Sequence, residues 1–190
     1  MNLIQFQDDN GDRAVAAIED GVARLIKDAA SVYDLTLAAI DRNVAIGAII
    51  AEKGLGATLD RDAIIAEGRL LSPIDHPDPA HLYVTGTGLT HLGSAATRDA
   101  MHKSAGTKTE ENLTDSMKMF RMGLEGGKPA PGQVGVQPEW FYKGNGYSVV
   151  PPGRPIPSPA FAKDAGEEPE IAGIYIIDHN GNPRRLGFAL

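Results

Sequence analysis

Two glutamates separated by one proline, Glu168-Pro169-Glu170, lead directly into the apolar stretch Ile171 to Ile177. Residues i and i+2 of a strand point to one face, about 7 Å apart. Two carboxylates converging there repel each other, and a divalent cation removes that repulsion. Oxygen ligands of this kind suit Mg2+, with Mn2+ or Ca2+ as its chemical neighbours. The plainer alternative is a solvated acidic strand end, because Glu167 makes three acids in four residues.

His91 is the second candidate. It follows Thr85-Gly86-Thr87-Gly88, where the backbone must turn tightly or approach something closely. An imidazole at such a strand-to-helix turn can act as a general base near neutral pH. The alternative is a hydrogen-bonded histidine in the first turn of a helix. No two histidines stand at the i, i+4 spacing of a zinc helix. Gly86-Thr87-Gly88 begins like a dinucleotide fingerprint, but His91 stands where the third glycine is required. Asp178-His179-Asn180-Gly181-Asn182 begins like a Ca2+ loop, yet its sixth position is Pro183 and its twelfth Ala189. Both are better read as turns.

The elements that must position these groups follow from spacing and punctuation. Ile171 to Ile177 and Leu186 to Leu190 form a hairpin around Asn180-Gly181. With those two as the central turn residues, His179 pairs with Asn182 and Ile171 faces Leu190. Glu168 then lies opposite the third position beyond Leu190, where a further ligand is expected. A bulge would shift this register.

Earlier in the chain, Leu3 to Phe6, Arg13 to Ile18 and Val22 to Leu25 read as strands, with turns at Asp9-Asn10-Gly11 and Asp20-Gly21. Ser31 caps a helix, with Asp34 at its third position. Val32, Leu35, Ala39, Ile46, Ile49 and Ile50 continue at helical spacing up to Gly54. Ser72 to Pro79 holds three prolines and is a rigid connector. Leu82-Tyr83-Val84 reads as a buried strand, and a helix is expected from Thr90 to about His102. Lys103 to Ser116 is a polar excursion, and Gly123 to Gln137 should be coil. Trp140-Phe141-Tyr142 is a short strand closed by Lys143-Gly144-Asn145-Gly146. Val149 to Pro159, with five prolines, is extended loop.

The bulk numbers limit the function. The chain has 190 residues, 42% hydrophobic and 23% charged, enough for one ordinary domain or for one small plus one medium domain. A net charge of −7 disfavours a nucleic-acid partner. The absence of cysteine excludes disulfides, thiolate metal sites and a Cys nucleophile. The apolar run Val44 to Ala51 is too short to span a bilayer, so no membrane partner is expected. The first residues show no basic segment followed by an apolar run, and a cytoplasmic location is expected.

Taken in order, these residues resemble the fumarylacetoacetate hydrolase superfamily. Leu70-Leu71-Ser72-Pro73 begins the pattern. Gly86-Thr87-Gly88-Leu89-Thr90-His91 is similar to the family's Gly-x-Asn-Tyr-x-x-His. Pro138-Glu139-Trp140-Phe141-Tyr142-Lys143 is similar to its Pro-x-x-Phe-x-Lys, and Glu168-Pro169-Glu170-Ile171-Ala172 to its Glu-x-Glu-Leu-Ala metal strand. Gly187-Phe188-Ala189-Leu190 is similar to the stretch that precedes the third carboxylate ligand. The resemblance spans about Leu70 to Leu190. It implies an α+β, β-rich fold: a small N-terminal α+β domain over residues 1–71, then a mixed β-roll catalytic domain, incomplete at its C-terminus, over 72–190.

The resemblance also implies roles. Glu168 and Glu170 would bind Mg2+, and His91 would act on the substrate as base or orienter. Lys143, Arg98 and Thr87 would bind that substrate, and the segment after His91 would close as a lid. Hydrolytic members carry a Glu three residues after the His, and here that residue is Ser94. Elimination of a hydroxyl β to a keto group needs only enolisation and a leaving group. The stretch His91 to Arg98 looks most like the sugar-acid branch. The expected activity is therefore a Mg2+-dependent dehydratase, a lyase acting on a 2-keto-3-deoxy sugar acid, in a homodimer. The alternatives are a hydrolase cleaving a C–C bond of a diketo acid or acylpyruvate, and a truncated binding protein without turnover.

Overall fold

The computed structural model describes residues 1–88, 96, 100, 114–136, 139–163 and 169–190. The chain is mixed α+β, with two compact units: Met1–Pro79 together with Ser148–Leu190, and Ala80–Tyr147.

In the first unit, β1 (Asn2–Gln7), β2 (Arg13–Glu19), β3 (Val22–Ile26) and β4 (Leu55–Leu59) form one antiparallel sheet in chain order. Strand β2 alternates between two cores. Val15 and Ala17 join Ile26, and helices α1 (Val32–Asp41) and α2 (Ile46–Lys53) cover them with Val32, Leu35, Ala39, Ile49 and Ile50. Ala14 and Ala16 join Phe6 on the other cluster, capped by Ile64 of α3 (Arg61–Ala66). A sheet buried on both faces needs apolar residues at successive positions, which is why β2 reads Ala-Val-Ala-Ala.

The expected single helical run to Gly54 is two helices. Asn43 takes a left-handed φ of 50°. The N–H of Asn43 donates to Ile40 O, and that of Val44 donates to Ala39 O. This paired pattern closes a helix C-terminus, and Asn tolerates its left-handed position. Val44 then continues the apolar spacing without continuing the helix. The expected cap at Ser31 is present: Ser31 Oγ accepts from Asp34 N at 2.9 Å and donates to Asp34 Oδ2 at 2.7 Å.

Gln5 is fully buried and ties three segments together. Its Nε2 donates to Ser72 O, and its Oε1 accepts from Val32 N, each at 2.7 Å. Residues 69–71 run along the edge of β1, with Gln7 N donating to Arg69 O and Leu71 N to Gln5 O. The proline connector that follows lacks regular strand, apart from a short 3-10 turn at Pro79–His81.

Strands β7 (Ala172–Ile177) and β8 (Pro183–Ala189) form a hairpin belonging to this same unit. The turn is one residue longer than expected. Asp178, rather than His179, faces Asn182, with Asp178 N donating to Asn182 O at 2.9 Å. Ile177 accordingly pairs with Pro183. A bulge between Tyr175↔Arg185 and Ile174↔Gly187 leaves Leu186 unpaired, and Leu186 packs against the first core cluster. The extra turn residue and the extra bulge residue offset each other. Ala172 therefore pairs with Ala189, as the simple two-residue turn requires.

The second unit contains β5 (Tyr83–Gly86), β6 (Phe141–Asn145) and α4 (Asp115–Gly126). Helix α4 extends through Gly123 to Gly126, where coil was expected. Its cap is Thr114, whose Oγ1 accepts from Met117 N at 3.4 Å. Strand β5 is not buried, since Tyr83 is 70% exposed. Strand β6 continues through Lys143-Gly144-Asn145, which were expected to close it. Of the helix expected from Thr90 to His102, only Ala96 and Ala100 are described, and both are helical and exposed. Most of Lys103 to Ser116 lies outside the described residues.

Candidate functional site

Two of the sequence motifs, separated by more than fifty residues, are hydrogen-bonded neighbours. Strand β5 leads into Gly86-Thr87-Gly88 and pairs antiparallel with β6, Gly86 facing Phe141 and Thr85 facing Tyr142. The register shifts between Val84 and Thr85, so that Lys143 is an extra residue on β6. Such a bulge re-aims a side chain and strengthens local twist. Gly144, with φ of 148°, supplies the backbone freedom beside it.

Glycine is required on β5 by what lies over it. A Cβ on Gly86 would meet Phe141 Cζ at 2.6 Å and Lys143 Cε at 2.9 Å. A Cβ on Gly88 would collide with Glu139 Oε2, with Phe141 Cε1 at 3.6 Å. Glu139, Phe141 and Lys143 thus lie over one glycine-paved face, as alternate residues of a strand should. Lys143 Nζ stands 5.6 Å from the Phe141 ring centroid, within cation–π range. Glu139 Oε2 is shielded from solvent. The opposite face of the ribbon carries aromatics. Trp140 and Tyr142 are 62% and 55% exposed, and Tyr142 meets Tyr83 edge-on at 6.3 Å. Alternation that aims both glycines at the Phe141 face sends exposed Thr87 to the other side.

Of the expected site residues, the structure therefore brings Lys143 to the glycine turn that carries Thr87. Glu170 is exposed, two positions before the first residue of β7. His91, Arg98 and Glu168 lie outside the described residues. Among the described residues, no group of three or more His, Asp or Glu side chains is gathered to hold a metal. Spacing of the candidate ligands did not single out Glu139. The signal was present: Glu139, Phe141 and Lys143 alternate opposite a Gly-x-Gly.

A cavity of about 610 Å3 opens in the first unit, between the sheet and α3. Phe6, Leu25 and Ile64 line it, and it contains none of the expected site residues. Its charged rim is engaged structurally. Arg13 donates to both oxygens of Asp75, at 2.9 and 2.8 Å. Arg69 bonds Glu67, Asp9 and Gln7 O. Asp8 Oδ1 accepts from Asn10 N and Asp12 N. Among the described residues, no helix is long and apolar enough to cross a membrane.

No protein-family model matches the chain, and no curated protein or solved structure does so either.

Proposed function

We propose that the chain belongs to the fumarylacetoacetate hydrolase superfamily, in its sugar-acid branch, and acts as a Mg2+-dependent dehydratase on a 2-keto-3-deoxy sugar acid. What supports the reading is the pairing of its motifs. The Gly86-Thr87-Gly88 turn adjoins the Phe141-to-Lys143 strand. The strand entered from Glu170-Ile171-Ala172 pairs with Gly187-Phe188-Ala189. Four stretches singled out for resemblance are thus two pairs of strand partners.

In this reading Glu168 and Glu170 hold Mg2+, their hard oxygens suiting that ion, with Mn2+ or Ca2+ as substitutes. The bound ion supplies Lewis acidity at the keto oxygen, lowering the cost of forming an enolate. Lys143 and Arg98 take the substrate carboxylate, while the contact expected from Thr87 drops out of the reading, because alternation sends it to the face opposite Lys143. His91 accepts the C3 proton. The hydroxyl at the β carbon then leaves as water, taking up the proton that His91 accepted, and a C3–C4 double bond forms. Ser94 in place of a water-activating glutamate favours this elimination over C–C hydrolysis. The protein would work as a cytoplasmic homodimer.

A panel of 2-keto-3-deoxy pentonates and hexonates, assayed with Mg2+ and with EDTA, tests the reading. Loss of water from the substrate that stops on chelation is the expected outcome. Turnover that survives EDTA would overturn it. Release of pyruvate with a second carboxylic acid would assign the hydrolase instead.

A further inference from the structure

The aromatic face of the β5–β6 ribbon and the proline run that follows it in sequence have no part in the dehydratase reading. We propose that they recognise each other between molecules: Pro155-Ile156-Pro157-Ser158-Pro159 of one copy of this chain docks on Trp140, Tyr142 and Tyr83 of a second copy. The proposal stands apart from any catalytic role, since it uses the face turned away from Phe141 and the two glycines.

The docking face is uncharged and exposed. Thr85 pairs with Tyr142 across the ribbon, and Thr85 and Thr87 are exposed beside the three rings. Alternate strand residues stand about 7 Å apart and the two tyrosine rings 6.3 Å apart, so the rings form a platform roughly 13 Å long. One indole N–H and four hydroxyls make this face rich in donors. The proline segment supplies the converse. Proline fixes φ and confines the residue before it to extended backbone, so prolines at alternate positions impose a polyproline II rod. Among the described residues, 155–159 form neither helix nor strand, and all five are exposed, Ile156 at 81%. A turn sets the rod off from the chain before it, with Gly153 at a φ of 80° and Arg154 N donating to Pro151 O at 3.3 Å. Five residues of such a rod span about 15 Å, close to the platform length, and their carbonyls are acceptors with few competing N–H groups. A stiff rod loses little entropy on docking, which is why aromatic surfaces select it.

Two observations point to a second copy as the occupant. Each surface is exposed in the single chain, so neither is covered there. Residues 148–163 carry Arg154 and Lys163 and no acid, whereas the whole chain has a net charge of −7. The rod is therefore a basic element that an acidic copy attracts. A single nucleic-acid strand, which also stacks on aromatic platforms, is repelled by the same net charge.

Trp140 is the sole tryptophan, so its emission reports the docking face directly. Sedimentation velocity and Trp140 fluorescence of the full chain, from about 1 to about 300 μM, test the proposal over the range suited to small interfaces. The expected result is a concentration-dependent association accompanied by a blue shift of the emission. Pro155→Ala, Pro157→Ala and Pro159→Ala combined should weaken the association at least about tenfold, and Trp140→Ala should do the same. Each variant keeps one half of the contact, so mixing the two should restore association, which a misfolded protein could not do. A synthetic peptide of residues 152–161 should reproduce the blue shift and disperse the complex. If Trp140→Ala does not fold, Tyr142→Thr and the peptide titration decide. Sedimentation and emission that are both independent of concentration overturn the proposal. A complex that survives both variants places the contact elsewhere and overturns it too. A proline-dependent blue shift without association would seat the rod on its own copy, which also overturns it. No arm reads turnover, so the dehydratase reading stands or falls separately.

Discussion

Arg184 Nε donates to Asp178 Oδ2 at 2.8 Å, while Asp178 Oδ1 accepts from Asn180 N and Asn182 N at 2.9 Å each. One carboxylate therefore holds the whole β7–β8 turn, with its side chain only 4% exposed. The β1–β2 turn is built the same way, Asp8 Oδ1 accepting from Asn10 N and Asp12 N and Gly11 taking positive φ as Gly181 does. The Asn182 backbone N–H, aided by Arg184 and the Asn180 N–H, holds the Asp178 carboxyl below its usual range despite the opposing effect of burial. The sign follows from linkage. A carboxyl depressed in the folded state stabilises fully above its ordinary value near pH 4 and loses that contribution as the pH falls through its folded value. Asp178→Asn is expected to be less stable than the unaltered chain at pH 7. The gap should close on acidification below about pH 4. Urea melts of both proteins between pH 7 and pH 2 check it, and a gap independent of pH would refute the assignment.

Gln5 offers a sharper stability test. Replacing it by Leu keeps the volume roughly but removes the partners of Val32 N and Ser72 O, both in buried surroundings. Each unsatisfied buried group costs about 1–3 kcal/mol. Gln5→Leu is expected to lose on the order of 2–5 kcal/mol in denaturant melts. A loss under about 1 kcal/mol would mean that water replaces the side chain at both groups.

Much of the first unit was legible because its signals are local. Short apolar runs bounded by the Asp9-Asn10-Gly11 and Asp20-Gly21 turns mark β1 to β3, and the Ser31-to-Asp34 spacing marks the start of α1. Strand β4 and helix α3 escaped because each is short: five and six residues respectively. Asp60 does cap α3, its Oδ1 accepting from Ala63 N, but the spacing of apolar residues alone does not announce so brief a helix. The break after Asp41 was hidden because Asn43 does what glycine usually does. The hairpin register was recoverable at Ala172 only through two departures that offset each other, and neither is written in the turn dipeptide. At the candidate site, the Gly-x-Gly and the Lys143 bulge depend on β5 finding β6 across a long gap, a pairing that no local pattern encodes. The exposure of Tyr83 shows the same limit: an apolar triplet reads as buried, yet among the described residues its strand pairs with β6 alone.

Gly86→Ala probes that ribbon directly. The added Cβ meets the Phe141 ring tip at 2.6 Å, so the ring must leave its place. Overpacking of this kind costs about 1–3 kcal/mol. Trp140, the one tryptophan, adjoins Phe141 and reports the change by fluorescence. Gly86→Ala combined with Phe141→Leu is expected to recover part of the loss, a non-additivity that marks direct contact. Strictly additive losses would show that the two residues do not meet.

Glu170 is the described member of the proposed metal pair, and its exposure leaves it accessible to a cation. Glu170→Gln preserves shape and hydrogen-bonding oxygen but removes the charge that attracts a hard divalent ion. Because the ion would contribute several kcal/mol to enolate formation, metal-dependent turnover of a 2-keto-3-deoxy acid is expected to fall by about a hundredfold or more. Raising Mg2+ should restore part of it, because weakened binding yields to mass action. Denaturant melts without metal should change by less than about 0.5 kcal/mol, as is usual for an exposed position, here two residues ahead of β7. Equal turnover in Glu170→Gln and the unaltered chain would leave this carboxylate as an ordinary solvated strand end.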